Sequence, residues 1–232
     1  MSRILVCDDE KEIVDAIEIY LCQEGYETLR AADGIEAIEI AAKNDIQLII
    51  MDVMMPRMNG MHAIQKIREF STVPVIMLSA KSEDVDKIAG LTYGADDYVT
   101  KPFNPMELMA RVRSQIRRYT MLGCKQEKET VGHLQNGGLE LFDEKKQVFV
   151  DGEEIRLTPM EFSILRLLME NPGIVFSAAR IYEAVWKEDA LAADNTVAVH
   201  IRHLREKIEI NPKEPRYIKV VWGVGYKMEK IE

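Results

Sequence analysis

Five residues with chemically capable side chains stand at comparable places in the chain: Asp8, Asp9, Asp52, Ser79 and Lys101. Each site follows a short, largely apolar run, with "ILVC" before Asp8-Asp9, "LIIM" before Asp52, "VIML" before Ser79 and "YVT" before Lys101. A carboxylate at the end of a buried run is costly unless it is paired, hydrogen-bonded or bound to metal. Three carboxylates drawn together repel one another. A hard divalent cation relieves that, and Mg2+ takes a few carboxylates with waters and phosphate oxygens. A lysine and a hydroxyl beside them suit the oxygens of a phosphoryl group. The set reads as an acyl-phosphate site with one aspartate as the nucleophile. No member is specific alone, since Asp-Asp after a strand is often only a helix cap. Their recurrence at consecutive strand ends, in order, is the specific signal.

The first half of the chain holds the elements that must position them. Strands are predicted at 4–7, 27–31, 48–51, 75–78 and 98–100. Helices are predicted at 11–24, 34–44, 60–69, 83–93 and 105–119, with Ile13, Ile17, Tyr20 and Leu21 at helical spacing. Several strands are continuous apolar runs, as in strands covered on both faces. Repeated βα units imply a parallel sheet flanked by helices, and ligands bind such sheets at the carboxyl ends of their strands.

The totals are those of a soluble globular protein of one large or two ordinary domains, 232 residues with 47% hydrophobic and 30% charged residues. No apolar run is long enough to span a bilayer, and "MSRILVCDDE" turns acidic without an apolar signal region. A cytoplasmic protein with no membrane partner is expected. Cys7, Cys22 and Cys124 are too few and too scattered for a disulfide framework or a zinc site. The net charge of -9 hides an asymmetry: residues 1–119 carry 14 Lys+Arg against 20 Asp+Glu, whereas 196–230 carry 8 against 4. Only that late stretch offers a phosphate backbone a place to dock.

Residues 120–136 lose the periodicity and read as a linker between a domain at 1–119 and one at 137–232. Short strands follow at 139–142, 147–150 and 154–157, with Asp151-Gly152 as a hairpin signal. Thr158, Pro159 and Glu161 form a capping box opening a helix that carries Phe162, Leu165, Leu168 and Met169. Ser177 caps a helix at 178–185, a third helix spans about 195–209, and "IKVVWGVGYKME" reads as a closing hairpin turning at 223–225. Strands, three helices and a hairpin are the order of a helix-turn-helix with a β-wing.

"VCDDE", "MDVMMPRMNG", "MLSAK" and "GADDYVTKPF" resemble the receiver domain of bacterial two-component response regulators, and the second half resembles the winged-helix effector domain of the OmpR/PhoB subfamily. The resemblance covers nearly the whole chain. It implies an α/β doubly wound, flavodoxin-like receiver with a five-stranded parallel sheet of order 2-1-3-4-5, followed by an α+β winged-helix domain. It further implies that Asp52 accepts a phosphoryl group from a sensor histidine kinase. Asp9, Asp52 and the Met54 carbonyl would hold Mg2+, with Asp8 acting through water. Lys101 would pair with the phosphoryl oxygens ahead of a cis bond to Pro102, and Ser79 and Tyr98 would be the switch pair. The chain would catalyse only its own phosphorylation and dephosphorylation. Stretches such as "TKPFNPMELMARVRSQIRRY" and "VVWGVGYK" are similar to members governing cell-envelope or glycopeptide-resistance genes.

The same resemblance implies a homodimer, formed on phosphorylation through the face built by 83–93, the fifth strand and 105–119. Its pairs would be Lys87 with Glu107, Asp97 with Arg111 and Asp96 with Arg118, around an apolar patch of Leu91 and Met109. The dimer would bind tandem promoter half-sites. Of the third effector helix, Val199, Leu204 and Ile208 have core spacing. Thr196, Val197, His200, Arg202, His203, Arg205 and Lys207 are the expected DNA-binding set, with Lys219 and Lys227 on the wing touching phosphate. Residues 186–193, with Glu188 and Asp189, would form the loop that meets RNA polymerase. Asn195, Ala198, His203 and Trp222 depart from the residues usual in the subfamily. Trp222 stands where an Arg often enters the minor groove and is left either on the sugar edge or in the core. A rival reading, an Mg2+-dependent aspartyl phosphatase, needs a second acid two residues after the nucleophile. Met54 occupies that position and cannot transfer a proton. Met54 and Lys81 also hold the two positions that tune hydrolysis in receivers, so a long-lived phosphoryl form is expected.

Overall fold

A computed structural model of the chain describes residues 2–80, 94–121, 132–187 and 193–231. The chain divides into two compact units, Met1–Thr120 and Met121–Glu232.

In the first unit, strands β1 (Arg3–Cys7), β2 (Glu27–Ala31), β3 (Leu48–Asp52), β4 (Val75–Ala80) and β5 (Asp97–Lys101) form one parallel sheet in the order β2-β1-β3-β4-β5. The helices are α1 (Lys11–Gln23), α2 (Gly34–Lys43), α3 (Gly60–Arg68) and α4 (Pro105–Met121). The expected helix at 83–93, with Lys81, Lys87 and Leu91, lies outside the described residues. Ile4, Val6, Leu48, Ile50, Ile76, Leu78 and Val99 alternate along their strands and form a core with Val14, Ile17 and Leu21 of α1 and Leu108, Met109 and Val112 of α4. The intervening Leu5, Ile49, Met51 and Met77 are buried as well. Both faces of the sheet are covered, which is why the strands are apolar without interruption. Burying each such side chain contributes about 1.5–3 kcal/mol. Tyr20 is not part of that core, being 36% exposed; Val14 takes the inward position.

Capping places the helices locally. Asp33 accepts from the amides of Ile35 and Glu36 at the start of α2, and Asn59 from that of His62 at the start of α3. Gly60 is required by close approach, because a Cβ there would lie 2.1 Å from the Asp52 carbonyl oxygen.

The second unit opens earlier than expected. β6 (His133–Asn136) pairs antiparallel with β7 (Leu139–Phe142), followed by β8 (Gln147–Val150) and β9 (Glu153–Ile155) in a four-stranded sheet. Part of the stretch taken for linker is therefore strand. "HLQN" lacks apolar alternation, and the turn at Gly137, φ +62°, and not a hydrophobic pattern, sets its register. Cys124 and the rest of that stretch, 122–131, lie outside the described residues. α5 (Pro159–Met169) begins with the expected capping box between Thr158 and Glu161, and Ser177 caps α6 (Ala178–Trp186). α7 (Ala193–Ile208) precedes β11 (Ile218–Val221) and β12 (Gly225–Met228), which pair as a hairpin. A short strand absent from the sequence reading, β10 (Val175–Phe176), completes that sheet in the order β10-β12-β11. Phe162, Leu165, Ile181, Trp186, Val197, Ile201, Leu204 and Ile218 belong to one core joining the three helices to the hairpin. No described helix is long and apolar enough to cross a membrane.

Candidate functional site

The parallel sheet delivers its strand ends to one rim. Asp8 and Asp9 follow β1, Asp52 ends β3, Ser79 lies near the end of β4 and Lys101 ends β5. Oxygens of Asp8, Asp9 and Asp52 all lie within 4.8 Å of one another. Asp8 and Asp52 are buried, at 3% and 5% exposure, whereas Asp9 is exposed. Lys101 bridges the buried pair, its Nζ 2.7 Å from Asp8 Oδ2 and 2.9 Å from Asp52 Oδ1. Glu10 adds an acid that the sequence reading passed over, its Oε1 3.5 Å from the same Nζ.

The remaining carboxylate oxygens are held by backbone. The Met54 amide donates to Asp52 Oδ2 at 2.9 Å and the Glu10 amide to Asp8 Oδ1 at 3.0 Å. The Met54 side chain itself stands out of the protein, 72% exposed. Burial pushes the Asp52 carboxyl above its ordinary range, with Lys101 pulling it down and Asp8 pushing it up again. Burial works against the Lys101 ammonium, but hydrogen bonds to Asp8 and Asp52 outweigh it and its pKa is raised.

Ser79 is 2% exposed, and among the described residues its Oγ has no hydrogen-bond partner. The β3–β4 register pairs Asp52 with Leu78, one residue before Ser79. A buried hydroxyl without an acceptor is destabilising by about 1–3 kcal/mol. One strand over, Tyr98 is half-buried on β5. The Lys101–Pro102 bond is cis, as the resemblance implied. All five sequence-picked residues are thus on one rim, and three hard carboxylates with a backbone loop at Met54 form a donor set that fits Mg2+.

Two supporting residues were not picked from the sequence. Arg57, in the left-handed region at φ 62°, ion-pairs with the buried Asp33 at the start of α2. Gly60 lets α3 start against the Asp52 carbonyl. A glycine behind Asn59 in "RMNG" was the available signal.

The charged face expected to dimerise is differently arranged. Asp96 is wholly buried and paired with Arg68 at 2.7 Å, not displayed towards Arg118. It also accepts the Val75 amide at 2.9 Å, which draws it inward at the foot of the sheet. Asp97 is 4% exposed and takes both its oxygens, at 3.0 Å each, to Arg111 of the same chain, which also holds Glu107. Arg118 donates to Ser114 at 2.6 Å. Met109, expected in an apolar surface patch, is 2% exposed, because its position on α4 falls on the stripe that packs against the sheet.

The expected DNA-binding set also divides. Thr196, Val197 and His200 are 4%, 0% and 2% exposed, so they do not face outward. His200 lies in the core beside Trp186, ring centroids 5.4 Å apart. Arg205 is turned to the wing, donating twice to the Ile218 carbonyl at 3.1 and 2.7 Å, and burial lowers its pKa. Lys207 reaches the capping-box acid Glu161 at 2.6 Å. α7 buries a face wider than its apolar residues, and the exposed stripe runs Ala198, Arg202 and Glu206, with His203 half-exposed. Of the wing lysines, Lys219 donates to the Pro215 carbonyl and Lys227 pairs with Glu229 at 3.0 Å. Glu188 and Asp189 lie outside the described residues, as does the Asn195 side chain. Glu209 at the end of α7, unremarked in the sequence, accepts the amides of Tyr217 and Ile218 at 2.8 and 2.9 Å and so ties the helix to the wing.

Comparison with known proteins agrees with both units. Residues 4–113 match the response regulator receiver domain, and residues 152–228 match the family described as transcriptional regulatory protein, C terminal. The chain is 46% identical over 231 residues to the regulatory protein VanR of Enterococcus faecium, covering 99% of each. It is 39% identical over 233 residues to the alkaline phosphatase synthesis transcriptional regulatory protein PhoP of Bacillus subtilis, covering 99% of this chain and 97% of that one. Among solved structures, the response regulator DrrB, an OmpR/PhoB homolog of Thermotoga maritima, is 33% identical with a TM-score of 0.50, covering 99% of each chain. A mutant of RitR is 25% identical with a TM-score of 0.77, covering 99% of this chain and 100% of that one.

Proposed function

The chain belongs to the two-component response regulators of the OmpR/PhoB type, DNA-binding transcriptional regulators, and on that premise we propose that it is switched by phosphorylation of Asp52. The observation that carries this is the rim itself: a buried Asp52 bridged by Lys101 to Asp8, with the Ser79 hydroxyl, which has no hydrogen-bond partner among the described residues, one strand away. In the reaction, an Asp52 oxygen attacks the phosphorus of a phosphohistidine on a sensor kinase. The N–P bond breaks, the imidazole leaves, and an acyl phosphate forms. Lys101 is placed to follow the developing charge on the phosphoryl oxygens, and Ser79 Oγ to donate to one of them. Asp8, Asp9 and Asp52 with the Met54 carbonyl are the residues to hold Mg2+, which when bound offsets the negative charge that these acids and the phosphoryl group bring together.

The phosphoryl group adds charge and acceptors beside Ser79, whose hydroxyl has no partner among the described residues, and this biases Ser79 and Tyr98 towards the rim. The readout is dimerisation through the α4–β5 face, now resting on Glu107 and Arg118 with Lys87 and Leu91. A two-fold interface repeats each contact, so weak pairs add. The dimer sets two α7 helices in successive major grooves of tandem half-sites, with Arg202 and His203 on the outward stripe and Lys219 and Lys227 at phosphates. RNA polymerase is met by residues 186–193.

The test is incubation of the full chain with Mg2+ and a small phosphodonor. Intact mass should show one added phosphoryl group, absent in Asp52→Asn. Footprinting on the promoter of its own operon should show tighter, paired protection after phosphorylation. Equal labelling of Asp52→Asn, or regulated binding that survives that substitution, overturns the reading.

A further inference from the structure

The segment between β3 and α3, residues 53–59, carries the Met54 carbonyl and is tied down at both ends. The Val53 amide donates to the Leu78 carbonyl of β4 at 2.9 Å, and the Gly60 amide closes the loop on the Val53 carbonyl at 3.0 Å. On its far side the Met58 amide reaches back to the Pro56 carbonyl at 2.6 Å, a three-residue turn centred on Arg57. Arg57 has φ 62°. A three-residue turn of that sign is the rare, strained form, and a residue other than glycine holds it only where its surroundings impose it.

The neighbour that imposes it is the start of α2. The Gly34 amide donates to the Met58 carbonyl at 3.0 Å, and a Cβ on Gly34 would lie 2.7 Å from that oxygen, so loop and helix meet backbone to backbone. Asp33 is 1% exposed. Its Oδ1 accepts the amides of Ile35 and Glu36 at 2.8 and 3.0 Å, and its Oδ2 meets Arg57 Nη2. An exposed ion pair contributes little, but half of this one is inside the protein. Without Arg57, the Asp33 oxygen that does not cap the helix is a buried charge with no described partner. Neither helix needs the pair in order to start, because α3 is capped by Asn59 and α2 by Asp33 Oδ1. What the pair adds is a fixed link between α2 and a turn three residues beyond Met54.

Resting on the reading of the rim as an Mg2+ site, we propose that Arg57 and Asp33 are a positioning strut: their ion pair locks the turn at 56–58 against α2 and so holds the Met54 carbonyl in place for the cation. Neither side chain touches the metal. A carbonyl already aimed at the cation loses little freedom on binding it, so affinity rises with the rigidity of the loop. Charge alone has a different signature. Removing the Arg57 cation would by charge leave cation affinity unchanged or raise it, whereas removing the Asp33 anion would lower it. The strut requires both substitutions to lower it, and the two together to lower it no further than one.

Arg57→Asn and Asp33→Asn suit the test, because asparagine tolerates the left-handed backbone and still caps a helix. Mn2+ is the probe, titrated into the full chain and followed as free ion by its electron paramagnetic resonance signal. Each variant should bind Mn2+ about tenfold more weakly, as for outer partners of a metal site. The double variant should match the weaker single one, and Arg57→Lys should keep part of the affinity. With a small phosphodonor, the Mg2+ needed for half-maximal labelling should rise by the same factor, while the rate at saturating Mg2+ stays that of the parent. Parent-like or tighter Mn2+ binding by Arg57→Asn overturns the strut, and so do additive losses in the double variant. A parent chain that binds Mn2+ but takes no phosphoryl group overturns the phosphorylation reading and leaves the strut to the Mn2+ titration. A parent chain that binds no Mn2+ overturns the metal site and the strut with it.

Discussion

Lys101 Nζ lies 2.9 Å from Asp52 Oδ1, and the same ammonium is 2.7 Å from Asp8 Oδ2, so one lysine bridges two buried carboxylates and offsets half of their charge. Removing one partner of a buried pair leaves uncompensated charge and destabilises by about 3 kcal/mol. Lys101→Ala is expected to lose about that much in urea denaturation, and Mg2+ should recover more stability in the variant than in the parent chain. A loss under ~0.5 kcal/mol, the usual range for surface changes, would show that the bridge does not hold the rim together.

Asp52 titrates above the ordinary carboxylate range because burial opposes its charge. A raised pKa stabilises the fold below the ordinary value, and that contribution is lost as pH rises through the raised one. Asp52→Asn carries no charge to bury. Its melting temperature should exceed the parent's at neutral pH, with the gap closing as acid protonates Asp52. A gap that widens in acid has the wrong sign for this account. The Lys101 bridge, with its raised pKa, should persist above the ordinary lysine range and be lost only at higher pH.

Arg68 joins α3 to β5. Its Nη2 lies 2.7 Å from the buried Asp96, and it donates to the carbonyls of Gly94 and Val73 at 2.9 and 2.6 Å. Arg68→Ala should destabilise the first unit by about 3–5 kcal/mol. Adding Asp96→Asn should recover part of that, measured as a double-mutant cycle. Simple additivity of the two changes would refute the pairing.

Met54 gives Asp52 a backbone amide but no side chain that can orient water. The phosphoryl form should last minutes to hours, and Met54→Glu should shorten it by about tenfold or more, in line with general base contributions. Decay of acid-quenched, phosphodonor-labelled protein measures this. A parent half-life of seconds contradicts it.

Arg202 occupies the exposed stripe of α7, where its only described partner is Glu206 at 2.9 Å. Arg202→Ala should weaken specific duplex binding by about 1–3 kcal/mol. Thr196→Val, at a buried position, should leave the operator preference unchanged. A reversed order of effects in competition binding would show that α7 docks through its inner face.

The five strands, the rim and its five residues were legible because each rests on a local signal, whereas the strand order came from the resemblance alone. Apolar runs mark doubly covered strands, and a parallel sheet sends every strand end to one side. β6 and β10 were not legible, because turn geometry and pairing partners form them, not a periodicity of their own. The same limit governed the charged surfaces. Asp96, Asp97, Met109, Thr196 and His200 are of types that usually face outward or can do so. Their burial depended on whether a neighbour from a distant segment arrived to satisfy or cover them.

By itself, then, the sequence determined which chemistry is available and at which strand ends it stands, since residue type and period are properties of short segments. Only the tertiary structure decided which charges are spent inside the fold, as with Arg111 on Asp97 and Arg205 on the Ile218 carbonyl. It likewise decided which side chains remain to meet a partner, as with Arg202 and Trp222. The reason is physical: a polar group's fate is set by desolvation and by the partner within hydrogen-bond reach, and that partner is far away along the chain.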